Sequence, residues 1–170
     1  MPNNLGRKWL VRSVNKFFKK VVLLLVTGAG IGYIPRLPGT LGTIMAIPFS
    51  LALNRIALSN FLVAAVLLLG SIAGAVWLCT QLAGMLNQKD PQFIVIDEMV
   101  GFLLANFLAP FSLTGLLWSF ALFRFFDISK IFPANRLEQL PGGAGIVLDD
   151  VLAGVYTFIS LRLLLKMDWV

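Results

Sequence analysis

Residues Phe61–Leu86 read FLVAAVLLLGSIAGAVWLCTQLAGML and contain no charged side chain. A helix needs about 20 predominantly apolar residues to cross the hydrocarbon core of a bilayer. This run is longer than that, so it predicts a membrane-spanning helix. Within it, Gly70 and Gly74 are four residues apart, a spacing that is typical of close contact between membrane helices.

The composition of the whole chain agrees with a membrane protein. Of its 170 residues, 58% are hydrophobic and 13% are charged, and the mean hydropathy is +0.87. Soluble domains contain about 25% charged residues. We therefore expect an integral membrane protein.

Further apolar stretches flank the first run on both sides. They cover residues 43–53, 99–109, 113–126 and 146–165. The last of them reaches the length of a full span, and Pro110 divides two of the shorter ones into a predicted hairpin. The predicted fold class is all-α: a multi-helical integral membrane protein with about four to five apolar helices, some of them short or re-entrant.

Two regions are predicted along the chain. Residues 1–20 carry six basic and no acidic side chains. Leu10, Val14 and Phe17 share one helix face there, so the segment is predicted to be amphipathic and to lie on anionic lipid. Residues 21–170 are predicted to form a single membrane-embedded domain, because no linker or internal repeat divides them.

The basic residues predict an orientation. With the amino terminus in the cytoplasm, the predicted helices return the loops 28–42, 87–98 and 124–148 to the cytoplasmic face. That face then carries eleven of the fourteen Lys and Arg residues, as the positive-inside rule requires. The net charge of +6 is accordingly assigned to an anionic membrane surface and not to nucleic acid as a partner.

Several kinds of site are excluded by residues that the chain lacks. It has no histidine and one cysteine, Cys79. A Ser-His-Asp triad, a histidine-ligated zinc site, a phosphohistidine and a disulfide framework are therefore excluded. Cys79 stands in an apolar run without a following Cys-x₅-Arg pattern, so we predict that it contributes to packing.

Two pairs of adjacent carboxylates stand next to apolar stretches. Asp97 and Glu98 precede the stretch 99–109, and Asp149 and Asp150 are predicted to stand just ahead of a helix that begins at residue 151. One acid at a helix start is explained by the helix dipole. Two adjacent carboxylates beside hydrocarbon are costly unless a cation is near. Oxygen ligands without histidine favour Mg²⁺ as that cation.

A third polar group follows the hairpin. Arg124, Asp127 and Lys130 are spaced by three residues and share one stripe of a predicted helix. They are either an intrahelical ladder of ion pairs or a site in which Asp127 adds a metal ligand and the two bases bind anionic oxygens.

A glycine-rich stretch at residues 28–43 is predicted to be a loop. Its exposed backbone N–H groups, the hydroxyls of two threonines and one arginine are suited to an anion such as phosphate. A tight turn between helices is the alternative. From this loop and the third group, the predicted phosphate-binding residues are Arg36, Gly39, Thr40, Gly42, Thr43, Arg124 and Lys130.

Four blocks of sequence together resemble the signature of the phosphatidylglycerophosphatase A family. They are GTLGT at 39–43, DPQFIVIDEMVG at 90–101, FRFFDISK at 123–130 and PGGAGIVLDDVLAG at 141–154. The resemblance implies a Mg²⁺-dependent membrane phosphatase that hydrolyses the phosphomonoester of phosphatidylglycerophosphate. The products would be phosphatidylglycerol and phosphate, in the inner membrane of a bacterium. Members often have Lys-Pro-x-Pro where this chain has KIFP at 130–133.

The predicted roles and their alternatives follow from the residues and the resemblance together. The predicted catalytic and metal-binding residues are Asp97, Glu98, Asp127, Asp149 and Asp150, with Lys130 also catalytic. Attack by water and attack by a carboxylate to form an aspartyl-phosphate both stay open. The alternative functions are a small ion or proton transporter, another lipid phosphatase, and a phosphotransferase of phospholipid synthesis. The Asp-Gly-x₂-Ala-Arg opening expected of that phosphotransferase is absent.

Overall fold

The computed structural model describes residues 16–86 and 91–167. Within these ranges the regular structure is entirely helical, which confirms the all-α prediction. Helix α1 is described over residues 16–26. A 3₁₀ turn at Ile31–Tyr33 precedes the remaining helices, which are α2 (Pro38–Ser59), α3 (Phe61–Leu86), α4 (Ile96–Ala105), α5 (Leu113–Ser129), α6 (Ala134–Leu137) and α7 (Gly143–Lys166).

Three helices, α2, α3 and α7, are long and apolar enough to cross a membrane. The bounds of α3 coincide with the run predicted from the sequence. Helix α4 has only 10 residues, which gives a length of about 15 Å, so it covers half of a bilayer core. It forms a hairpin with α5 around Pro110, as predicted. The chain is therefore a membrane protein in which full spans surround a short helix.

The predicted amino-terminal segment falls mostly outside the described residues. Of residues 1–20, the structure describes 16–20, which belong to α1. Phe18 packs edge-to-face on Trp77 of α3, with 6.1 Å between the ring centroids. Further along α1, Val22 and Val26 are fully buried in the main hydrophobic core. The described part of α1 is thus attached to the bundle.

The prediction of a loop up to residue 43 is wrong, because α2 begins at Pro38. Proline suits the first turn of a helix, where its fixed φ and missing N–H cost nothing. Gly42 is buried against the chain before α4, and a Cβ on it would lie 2.8 Å from the Cβ of Val95. Close packing therefore compensates for the low helix propensity of glycine in this turn.

The predicted position of the second acidic pair is also wrong. Helix α7 begins at Gly143, so Asp149 and Asp150 lie in its second turn and not before it. The attraction of the helix dipole fades beyond the first turn. A helix-start signal therefore does not explain this pair.

Helices α4 and α7 cross with their backbones in contact. A Cβ on Gly154 of α7 would lie 2.4 Å from the carbonyl oxygen of Gly101 on α4, and a Cβ on Gly101 would lie 2.7 Å from the carbonyl oxygen of Asp150. Only glycine permits such an approach. By contrast, a Cβ on Gly70 or Gly74 would meet nothing within 4 Å. The prediction that these two glycines mediate a helix contact is wrong within the part of the chain that the structure describes.

The carboxyl end of α4 stops inside the bundle, where its backbone needs polar partners. Asn54 of α2 donates a hydrogen bond from Nδ2 to the carbonyl oxygen of Asn106 at 2.8 Å, and its Oδ1 accepts one from the N–H of Leu108 at 2.8 Å. Arg162 of α7 donates to the carbonyl oxygens of Phe107 and Leu108 at 2.9 and 2.7 Å. Two spanning helices thus fix the turn of the hairpin.

Replacing Asn54 by alanine is expected to lower the free energy of unfolding by about 1–2 kcal/mol, because the buried carbonyl of Asn106 and the partly buried N–H of Leu108 lose their partner. The measurement is thermal unfolding in detergent. Asn135→Ala is the control, because Asn135 is exposed on α6. Equal stability of the two variants would contradict the assigned role of Asn54.

Candidate active site

A cavity of about 620 Å³ lies at one end of the bundle, where the chain segments before α2 and before α4 meet the end of α5 and the first two turns of α7. The sequence predicted that loops from these regions share one membrane face, and the structure brings them together. The charged side chains that line the cavity are Arg36, Asp97, Glu98, Asp127, Lys130, Asp149 and Asp150.

Three of the predicted metal ligands form one cluster. Carboxylate oxygens of Asp97, Glu98 and Asp150 all lie within 4.8 Å of one another. Asp97 and Glu98 stand in the first turn of α4, and Asp150 stands on α7. The glycines at the helix crossing follow Asp97 and Asp150 by four residues each, and therefore lie on the same helix faces one turn away. The close crossing thus brings the carboxylates together.

The cluster has the properties of a cation site. Glu98 Oε2 is buried and has no hydrogen-bond partner among the described residues. Asp97 stands on α4, which is too short to span the membrane. Burial raises the pKa of the Asp97 carboxyl group, and the nearby charge of Glu98 raises it further. A divalent cation would relieve both the burial of charge and the repulsion. Three carboxylates without nitrogen or sulfur ligands fit Mg²⁺.

The other two predicted ligands are paired with basic side chains. Asp127 forms an ion pair with Arg124, which precedes it by three residues on α5. Asp149 Oδ2 accepts a hydrogen bond from Lys130 Nζ at 3.1 Å, while its Oδ1 is buried and unpartnered among the described residues. The five acids are thus divided into a three-carboxylate cluster and two acids that hold basic groups beside it.

Glu138 is a member of the site that the sequence analysis did not select. Lys130 Nζ forms an ion pair with Glu138 as well as with Asp149. Burial opposes the charge of Lys130, but the hydrogen bond to Glu138 and the negative charge of Asp149 outweigh it and raise the pKa of the ammonium group. Lys130 therefore stays positively charged. The scarcity of acidic residues could have indicated Glu138, because only eight occur in the chain.

The predicted phosphate-binding residues do not all reach the cavity. Arg36 and Lys130 line it. Arg124 is held by Asp127 close to the carboxylate cluster. Gly39, Thr40, Gly42 and Thr43 are absent from the lining of the cavity within residues 16–86 and 91–167, and the Thr43 hydroxyl donates a hydrogen bond to the carbonyl oxygen of Gly39 at 2.9 Å. For these four residues, phosphate binding stays a prediction.

Gly39 has a different contact with the site. A Cβ on Gly39 would lie 2.2 Å from Glu98 Oε1 and 3.1 Å from Arg124 Nη1. The absence of a side chain on α2 therefore makes room for the Glu98 carboxylate beside the cluster.

Gly39→Ala is expected to lower kcat/KM about tenfold for the phosphatase reaction that the family resemblance implies, because Glu98 has to move while the helices keep their packing. Thermal unfolding should change little, since the far end of a side chain yields more easily than backbone. Gly70→Ala is the control, because a Cβ there meets nothing within 4 Å in the part of the chain that the structure describes. Full activity of Gly39→Ala would show that the position of Glu98 is unimportant.

Comparison with known proteins gives the family. The sequence profile described as Phosphatidylglycerophosphatase A matches residues 24–165. A phosphatidylglycerophosphatase A of Haemophilus influenzae is 37% identical over 85% of this chain and 92% of its own length. One of Escherichia coli is 34% identical over 78% of this chain and 76% of its own.

A protein of Bacteroides thetaiotaomicron that carries the provisional name phosphatidylinositol-3-phosphatase is 37% identical, over 81% of this chain and 89% of its own length. No solved structure matches. The family profile covers all four sequence blocks, and with them the carboxylate cluster and its basic neighbours. The chain belongs to the phosphatidylglycerophosphatase A family.

Proposed function

We propose that this protein is a Mg²⁺-dependent phosphatidylglycerophosphatase of the bacterial inner membrane, with its active site facing the cytoplasm. The observation that supports this most is the cluster of Asp97, Glu98 and Asp150 in a cavity that also presents Lys130 and Arg36. Carboxylates for a divalent cation beside fixed positive charges are what phosphoryl transfer requires. The reaction adds water to phosphatidylglycerophosphate and releases phosphatidylglycerol and inorganic phosphate.

The proposed orientation rests on charge. In the topology predicted from the sequence, the segments that meet at the cavity belong to the face with most of the chain's basic residues. Basic residues are retained on the cytoplasmic side of bacterial membrane proteins. The cytoplasmic leaflet would then present the lipid phosphate directly to the cavity.

In this proposal Asp97, Glu98 and Asp150 hold the cation. When bound, Mg²⁺ offsets negative charge on the phosphoryl oxygens. Lys130 and Arg36 donate hydrogen bonds to the remaining phosphate oxygens. Asp149 and Glu138 keep the Lys130 ammonium group charged and directed toward the cavity.

The nucleophile is either water or a carboxylate of the site, and each alternative has a distinct product on the protein. A carboxylate nucleophile forms an aspartyl-phosphate and expels the alcohol, after which water cleaves the acyl phosphate. Acid quenching of the enzyme during turnover of substrate labelled in its terminal phosphate distinguishes the two. Label retained on the protein and released by hydroxylamine identifies the covalent route, and unlabelled protein identifies direct attack by water.

The test of the function is phosphate release by the purified protein in detergent. We expect release from phosphatidylglycerophosphate that depends on Mg²⁺, stops on addition of chelator and returns when excess Mg²⁺ is added. Release that is indifferent to chelator would contradict the metal-dependent mechanism. Absence of release under all of these conditions would contradict the activity.

A second candidate substrate comes from the Bacteroides relative, whose name refers to a phosphatidylinositol 3-phosphate phosphatase activity. That lipid also presents a phosphomonoester on a diacyl lipid. The same assay with phosphatidylinositol 3-phosphate decides between them. A higher kcat/KM for the inositol lipid would replace the proposed substrate while leaving the lipid phosphatase class intact.

A further inference from the structure

A second cavity lies within the bundle, separate from the carboxylate cluster. It has a volume of about 320 Å³ and lies between α2, α3 and α4. Apart from Ser71, its lining consists of apolar residues and glycine, among them Ala46, Phe49, Leu78 and Met99. Small-molecule sites begin at about 300 Å³, so the space can hold part of a flexible apolar chain.

The depth of this cavity corresponds to the acyl region of one leaflet. Ala46 and Phe49 follow the start of α2 by 8 and 11 residues, which places them about 12–17 Å along the helix from the end that bears the active-site cavity. Half of a hydrocarbon core is about 15 Å. Phe49 is 53% exposed, so the cavity reaches the surface of a spanning helix, where the bilayer surrounds the protein.

The same turn of α4 separates the two cavities. Ile96 and Met99 line the apolar cavity, and Asp97 and Glu98 between them line the polar one. A lipid whose phosphate lies at the carboxylates therefore has its hydrocarbon within reach of the apolar space. The two cavities match the two halves of a phospholipid in both chemistry and order of depth.

Gly74 lies beside the open space of this cavity and not in a tight contact between helices. It lines the apolar cavity, yet a Cβ on it would meet nothing within 4 Å. Its spacing with Gly70 would ordinarily indicate a helix contact, and the structure gives it none with the described residues. The glycine instead leaves the volume open.

We infer that the cavity between α2, α3 and α4 binds one acyl chain of the diacyl phospholipid substrate while the phosphate occupies the carboxylate site. The inference rests on the proposed function. It assigns Gly74 as a specificity-determining residue, since a larger side chain there would occupy the space of the acyl chain. It also requires the site to discriminate a lipid from its soluble headgroup.

The test compares two substrates on variants that fill the cavity. Gly74→Leu and Ser71→Leu are assayed with Mg²⁺ on long-chain phosphatidylglycerophosphate and on its deacylated, water-soluble headgroup. For the lipid we expect kcat/KM to fall on the order of tenfold, mainly through KM. For the headgroup we expect no change. Gly70→Leu is the matched control on the same helix, and it should leave kcat/KM for both substrates unchanged.

The outcomes separate this inference from the proposed function. If the wild-type protein hydrolyses both substrates and neither filling variant alters the lipid reaction, the acyl site is wrong and the function stands. An equal loss on both substrates would mean a structural effect and would also overturn the acyl site. If the wild-type protein hydrolyses neither substrate, the proposed function fails and this inference fails with it.

Discussion

Asp150→Asn is expected to lower phosphate release by on the order of a thousandfold while leaving thermal stability in chelator unchanged or raised. Asp150 shares the cluster with Asp97 and Glu98, and it is buried. Asparagine has nearly the same shape, so packing is preserved. The change removes one of three like charges and weakens the attraction for a divalent cation.

Thermal unfolding across a Mg²⁺ series measures this effect without catalysis. A ligand that binds the folded state stabilises it by about 2.7 kcal/mol at a concentration of 100 Kd. We expect the wild-type protein to gain stability with Mg²⁺ and Asp150→Asn to lose that gain. Asp149→Asn is the comparison, because Asp149 holds Lys130 and stands outside the cluster. Its Mg²⁺-dependent stabilisation should persist.

Two outcomes of this titration would contradict the predicted metal site. If Asp150→Asn is stabilised by Mg²⁺ at the same concentrations as the wild-type protein, the three carboxylates do not form the cation site. If Asp149→Asn loses the stabilisation and Asp150→Asn keeps it, the cation is held by Asp149 and not by the predicted cluster.

Hydrophobicity predicted those elements whose structure depends on the bilayer alone. The bounds of α3 followed directly from the uncharged run between Phe61 and Leu86, because a bilayer fixes the length of an apolar helix that crosses it. The hairpin of α4 and α5 followed from two short stretches divided by Pro110. Except for Glu138, the acids and bases of the candidate site were identified for a related reason, since charge beside hydrocarbon is rare unless it serves a function.

Packing between helices could not be predicted in the same way. The residues Gly39–Thr43 have the local preferences of a loop, and they are helical because Gly39 and Gly42 fit against Glu98 and Val95. The spacing of Gly70 and Gly74 indicated a helix contact, whereas the contact lies at Gly101 and Gly154. Which glycine meets another backbone depends on how the helices are arranged in three dimensions, and a single sequence does not contain that arrangement explicitly.

Gly154→Ala is expected to lower phosphate release about a hundredfold and to weaken Mg²⁺ binding, although Gly154 contacts neither cation nor phosphate in the proposed mechanism. A Cβ there would lie 2.4 Å from the carbonyl oxygen of Gly101. This carbonyl group belongs to the backbone and cannot turn away as a side chain can, so α4 and α7 have to separate. Asp97 and Glu98 would then move away from Asp150, and displacements near 1 Å in catalytic groups can cost about a hundredfold in rate.

Overpacking also lowers stability, typically by about 1–3 kcal/mol, so activity alone would not separate a displaced site from a weakened fold. Gly84→Ala is the matched control, because a Cβ on that residue of α3 meets no described residue within 4 Å. It should leave stability, activity and Mg²⁺ binding unchanged. The deciding measurement is the Mg²⁺ dissociation constant, determined by calorimetry well below the unfolding temperature of each variant.

If the crossing of α4 and α7 sets the distance between the carboxylates, Gly154→Ala has a raised Mg²⁺ dissociation constant even where it is fully folded, and excess Mg²⁺ restores part of its activity. A variant that is less stable but binds Mg²⁺ as the wild-type protein does would show that the cluster tolerates separation of the helices. The glycine pair would then serve packing only. Because Asp97 and Asp150 each precede a crossing glycine by one helical turn, the first result is the one that the geometry predicts.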